Sequence, residues 1–180
     1  SMLRVALVLD DYNELIYLQT ILRKIGIDVE GLQNVKKYEE LSLGFNPQIL
    51  IASAFGKKVN GLPFVKSLHR VRGFPKVILL TTQEHTVSEA EAREANVNLV
   101  LTSPLSPRNL ILGLSQLGNV DEQILLDKFE KLQAGGFSPD ETIQLVGQEN
   151  AAIPAGGEAH RFSLKESPDS AAPQSSSTSF

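Results

Sequence analysis

Three apolar runs of strand length each end in side chains that could do chemistry. Leu3 to Leu9 runs into Asp10-Asp11, Pro47 to Ala52 into Ser53, and Lys76 to Leu80 into Thr81-Thr82. Adjacent carboxylates can hold Mg²⁺, which takes one or two such ligands and completes its shell with water and phosphate oxygens. Without a cation, two like charges at short range need another partner or a proton. Lys57 and Lys58 follow Ser53 in a loop; folded back, either ammonium would lie over Asp10 and Asp11, and extended, both are solvated loop residues. The acids also have a purely structural reading, because Asp at a strand-to-helix turn satisfies free backbone N–H groups. Ser53 is a weak nucleophile, since a hydroxyl stays protonated at neutral pH and no adjacent histidine activates it. A small polar filler is its plainer role; phosphorylation by a serine kinase is the other. His69, His85 and His160 are scattered, with no spacing suited to a metal or a catalytic dyad.

The elements that position these groups follow from hydrophobic pattern. Continuous apolar runs bounded by Pro or Gly read as strands buried on both faces of a parallel sheet. Two further strands are expected at Asp28 to Leu32 and Asn98 to Thr102. Between them lie the crossover helices that a parallel sheet requires. Leu15, Leu18, Leu22 and Ile25 recur at helical spacing and stop at Gly26; Lys36 to Leu43 and Leu62 to Arg70 are shorter helices. Ser88 with Glu91 forms a capping box for a helix through Ala95, and Ser106-Pro107 opens a helix ending at Gly118. Five strands alternating with five helices over residues 3–118 make an α/β, doubly wound, five-stranded parallel sheet of flavodoxin-like order. In such sheets ligands sit at the carboxyl ends of the strands, where the polar groups are.

At this point the chain resembles the receiver domain of bacterial two-component response regulators, over roughly Leu3 to Leu117. Asp10-Asp11 is similar to the family's acidic pair that holds Mg²⁺ at the end of the first strand. Pro47 to Gly61 is similar to its third strand and following loop, and Thr81 and Pro104 to the hydroxyl ending the fourth strand and the proline following a lysine on the fifth. The departures bear on function. By the resemblance, Ser53 stands where the family has its phosphoaccepting aspartate, Ser103 where it has the phosphoryl-binding lysine, Val100 in place of an aromatic switch residue, and Lys57 in place of a loop proline. Phosphoryl transfer needs a carboxylate nucleophile in line with the donor, with Mg²⁺ and a cation to neutralise the transferring oxygens. The resemblance therefore implies a vestigial pocket of Asp10, Asp11, Ser53, Thr81, Ser103 and Lys57, no catalytic residue, no resident cofactor, and at most weak Mg²⁺ binding at Asp10 and Asp11.

Net charge is −4 overall, with 13 basic and 11 acidic residues in 3–118 against 4 and 10 in 119–180. The acidic end argues against a DNA-binding output, which needs a basic face to neutralise phosphates. The absence of cysteine fits a reducing compartment, and the lack of a membrane-length apolar run or signal-peptide pattern points to a cytoplasmic protein without membrane insertion. Residues 119–149 read as a helical hairpin: Leu125, Phe129 and Leu132 form one apolar face up to Gly135-Gly136, and Ser138-Pro139 opens a second helix with Ile143 and Val146 inward. Two short helices must bury that face on the domain, on a second copy, or on another protein. Residues 150–180 are low in apolar content and expected to be disordered. The resulting expectation is a non-enzymatic, phosphorylation-independent interaction module of bacterial signalling, acting on another signalling protein or by self-association, as a scaffold, localisation factor or antagonist. A sensor of small ligands in the pocket around Asp10, Ser53, Thr81 and Ser103 is the alternative.

Overall fold

The computed structural model describes residues 2–137. Alternation along the strands assigns each side chain to one of two apolar layers. Val5, Leu7, Ile49, Ile51, Ile78, Leu80, Leu99 and Leu101 point to one face, and Ala6, Val8, Leu50, Ala52, Val77, Leu79 and Val100 to the other. The strands are β1 (Arg4–Val8), β2 (Asp28–Leu32), β3 (Ile49–Ser53), β4 (Lys76–Thr81) and β5 (Leu99–Thr102), all parallel and ordered β2-β1-β3-β4-β5. The doubly wound sheet expected from the sequence is therefore present. Its register sets Val8 beside Ala52 and Thr81 beside Thr102, so the polar strand ends share one edge.

Helices α1 (Tyr12–Lys24), α5 (Pro107–Gly118) and α6 (Glu122–Ala134) cover the first face, while α2 (Tyr38–Phe45), α3 (Gly61–Lys66) and α4 (Glu89–Glu94) cover the second. Local chemistry marks their ends. Asp11 caps α1 by accepting from the N–H groups of Asn13 and Glu14, Ser88 and Glu91 complete the capping box of α4, and Ser106 caps α5 with Pro107 following.

Two helices differ from their expected bounds. The segment read as a helix from Lys36 begins as a 3-10 turn, Val35–Lys37, because the Asn34 side chain accepts the Lys36 N–H; α2 then runs to Phe45 and stops at Asn46, whose φ of 53° is left-handed. α3 ends at Lys66 and not at Arg70. The chain after it makes a tight turn in which Val71 pairs with Phe74 across Arg72 and Gly73, both at positive φ.

α6 packs against α5, with Leu125 and Phe129 buried at 4% and 2% exposure and Leu132 half-buried against the same cluster. Leu125 and Phe129 are thus core residues of this chain, which replaces the partner-facing role that the sequence also allowed them. Ile143 and Val146, with the second helix expected around them, lie outside the described residues. Among the described residues no helix is long and apolar enough to cross a membrane.

Candidate functional site

Two groups of hydrogen bonds tie the polar side chains at the carboxyl ends of the strands, while Thr102 Oγ1 and Asn13 Oδ1 are buried with no partner among the described residues. Asp10 is the centre of the first group. The Asp10 N–H donates to Ser53 Oγ at 2.9 Å, and its carbonyl accepts from Gln33 Nε2 at 2.9 Å. Its carboxylate Oδ1 accepts from two backbone N–H groups of the loop after β3, Lys58 at 2.5 Å and Val59 at 2.8 Å. Gly56 makes this approach possible, since a Cβ there would overlap the Asp10 carboxylate. Gly61 does the same at the other end of the loop, where a Cβ would meet the Ser53 carbonyl.

The loop lysines do not form the ammonium clamp that the sequence suggested. Lys57 and Lys58 are both exposed, and among the described residues no ion pair reaches Asp10 or Asp11. The loop neutralises Asp10 with its backbone, which leaves both ammonium groups hydrated and costs no side-chain entropy. Lys57 therefore stands outside the pocket to which the sequence assigned it. Asp11 is also spent locally, as the exposed N-cap of α1.

A second carboxylate, unremarked in the sequence, occupies the other side of the site. Glu14, in the first turn of α1, accepts from Ser103 Oγ at 2.6 Å through Oε1 and from the Leu105 N–H at 3.1 Å through Oε2. Burial pushes its pKa up, the hydrogen bonds from Ser103 and Leu105 pull it down, and the nearby Asp11 charge adds a smaller upward push. The Ser103 N–H donates to the Thr81 carbonyl at 2.7 Å, which ties β5 to β4 beyond the regular ladder. Thr81 is itself buried, its hydroxyl 3.4 Å from the Leu101 carbonyl, and Val100 is buried in the opposite layer. Above the strand ends, Phe55 and His85 stack with ring centroids 3.6 Å apart and planes 6° from parallel, bridging two loops. The His85 backbone N–H donates to Thr82 Oγ1 at 3.1 Å, which fixes the turn that carries the ring.

The structure thus joins Asp10 to Ser53 and Ser103 to Glu14 and ties Asp11 to the second pair only through the Glu14 backbone N–H. Among the described residues, the exposed Lys57 side chain makes no hydrogen bond or ion pair with either. Glu14 was legible only as an acid in a first helical turn, where it complements the helix dipole. Nothing in its spacing tied it to Ser103, 89 residues away.

The donor set is a poor one for Mg²⁺: Ser53 supplies a neutral oxygen that accepts from the Asp10 N–H, and Asp10 Oδ1 and Asp11 Oδ1 each already accept two N–H groups, which leaves only the second oxygen of each acid. Nor, among the described residues, does the Ser53 hydroxyl hydrogen-bond to a base that could activate it.

Comparison with solved structures gives this architecture its class. A putative response regulator from Chloroflexus aurantiacus J-10-fl superposes with a TM-score of 0.59 at 20% identity, covering 67% of this chain and all of that one. The chemotaxis response regulator CheY4 of Vibrio cholerae gives 0.57 at 22% identity, over 65% of this chain and 99% of its own. A chain from the co-crystal of the Saccharomyces cerevisiae histidine phosphotransfer protein Ypd1 with the receiver domain of Ssk1 gives 0.56 at 17%, over 66% and 90%. No protein-family model and no curated protein matches the chain. The fold is that of a response regulator receiver domain, with α6 added beyond its fifth helix.

Proposed function

We propose that this protein is a receiver-like signalling module that works by protein–protein interaction without aspartyl phosphorylation and without catalysis. One observation carries the reading: at the strand edge where the fold would bind and transfer a phosphoryl group, Asp10 anchors two backbone N–H groups through Oδ1 and its neighbour is the hydroxyl of Ser53. The carboxylate holds the loop 54–61 in one arrangement, and Glu14 takes the Ser103 hydroxyl that would otherwise face the site. An anionic group entering there would meet the carboxylate of Asp10, with which no cation is paired among the described residues, a cost that increases with desolvation.

The partner is another signalling protein or a second copy of the chain, and the role that of a scaffold, localisation factor or antagonist in the cytoplasm. A solved receiver chain of this fold is recorded together with a histidine phosphotransfer protein, which makes such proteins the first candidates. Titration of a conventional phosphotransfer protein, followed by NMR, tests this: binding of equal strength with and without a phosphoryl donor supports it, and binding that requires the donor overturns it. The alternative of a small-ligand sensor finds less support, because Ser53, Ser103, Glu14 and Asp10 Oδ1 already hold partners within the chain; Thr102 Oγ1 and Asn13 Oδ1 are the buried exceptions among the described residues.

A further inference from the structure

The opposite edge of the sheet, at the amino ends of the strands, carries an open groove of about 920 Å³ between α2 and the turn that follows α3. Arg4, Lys36, Tyr38, Leu43, Arg72 and Phe74 are among its lining residues. Leu43, Val71 and Phe74 are 83%, 64% and 48% exposed, and together they account for half of the large apolar side chains that the described residues leave in solvent. The lining charges are Arg4, Lys36 and Arg72, with a single acid, Glu39.

Lys36 and Arg72 line the groove and are both exposed, and no ion pair holds either among the described residues, so they call for an anionic partner such as a carboxylate. The chain itself supplies such groups. Residues 138–180 contain six acidic and two basic side chains, with Ile143, Leu145 and Val146 close behind Asp140 and Glu141. They also start at the right edge. Phe137 sits by Lys24 at the end of α1, with the ammonium 5.9 Å from its ring, and the chain after α1 leads directly to Asp28, the register partner of Arg4. Crossing from one helical layer to the other spans roughly 20 Å, or about six extended residues.

We propose that this groove is a docking site for the chain's own acidic segment 138–180, whose carboxylates pair with Lys36 and Arg72 while its apolar side chains cover Leu43, Val71 and Phe74. The docked segment would occupy a surface distinct from the strand-end site, so the inference stands independently of the function proposed above.

The sequence has no cysteine, and Gly44 on α2 is exposed with open space around its Cβ position, so Gly44→Cys in the full chain takes a single spin label beside the groove. The expected result is loss of most of the amide signal intensity in part of 138–180 within one molecule, recovered in about 1 M salt, where screening acts within about 3 Å. Adding K36E and R72E should restore the signals while core amides stay in place, which separates undocking from unfolding. Tail signals that keep full intensity would overturn the proposal. So would broadening seen only when label and isotope are on different molecules, which would assign the groove to the segment of a second copy.

Discussion

Asp10 and Glu14 are two carboxylates at one strand edge with different work. Asp10 draws two backbone N–H groups onto one oxygen and so shapes the loop that would otherwise be free to rearrange. Asp10→Ala should lower stability by about 3 kcal/mol, the order expected for hydrogen bonds to a charged acceptor; chemical denaturation measures it, and a change under 1 kcal/mol would mean that the loop holds itself. Gly56→Ala should act in the same direction, through the overlap of its Cβ with that carboxylate. Glu14 behaves differently. Because its pKa is raised in the folded state, the native protein binds this proton more tightly than the unfolded chain. Its contribution to stability is therefore largest below the ordinary carboxylate value and declines as pH rises through the raised one. Melting temperatures across that acid range should show the decline, and Glu14→Gln should flatten it while keeping an acceptor for Ser103. An identical pH profile in the variant would assign the dependence elsewhere.

At the scale of elements, α6 is the addition that the receiver fold does not itself require, and it is joined to the core. Phe129→Ala should cost about 3–5 kcal/mol, as for other buried aromatics, and should lower the single melting transition of the whole domain. Ile124, on the same helix but 53% exposed, should tolerate Ser with a change of about 0.5 kcal/mol or less. A separate early transition for α6 would show that it docks as an independent unit. Much of this level was legible beforehand. The five strands, the capping box at Ser88 and the Ser106-Pro107 start are local signals, strong because buried parallel strands and helix caps leave little choice of residue. The misplaced ends of α2 and α3 have local causes too, an Asn34 side-chain cap and a turn through Arg72, but these compete with equally good helix-compatible residues in a single sequence. The site was less legible. That Asp10 would be met by backbone and not by Lys57 or Lys58, and that Glu14 would reach Ser103, depends on how distant loops converge, which no spacing encodes.

For the whole molecule, the two edges of the sheet divide the surface. The carboxyl edge engages Asp10, Ser53, Glu14 and Ser103 in its own hydrogen bonds, and the amino edge presents a basic and apolar groove. Under the proposed function, signalling depends on what covers these surfaces and not on chemistry at the strand ends. The most direct test is exposure of the full chain to acetyl phosphate and Mg²⁺, read by intact mass and by the amide signals of Asp10, Lys58, Val59 and Ser103. The account predicts an unchanged mass and unshifted signals. A stable phosphoryl adduct at Ser53 or Asp11, with those amides displaced, would contradict it.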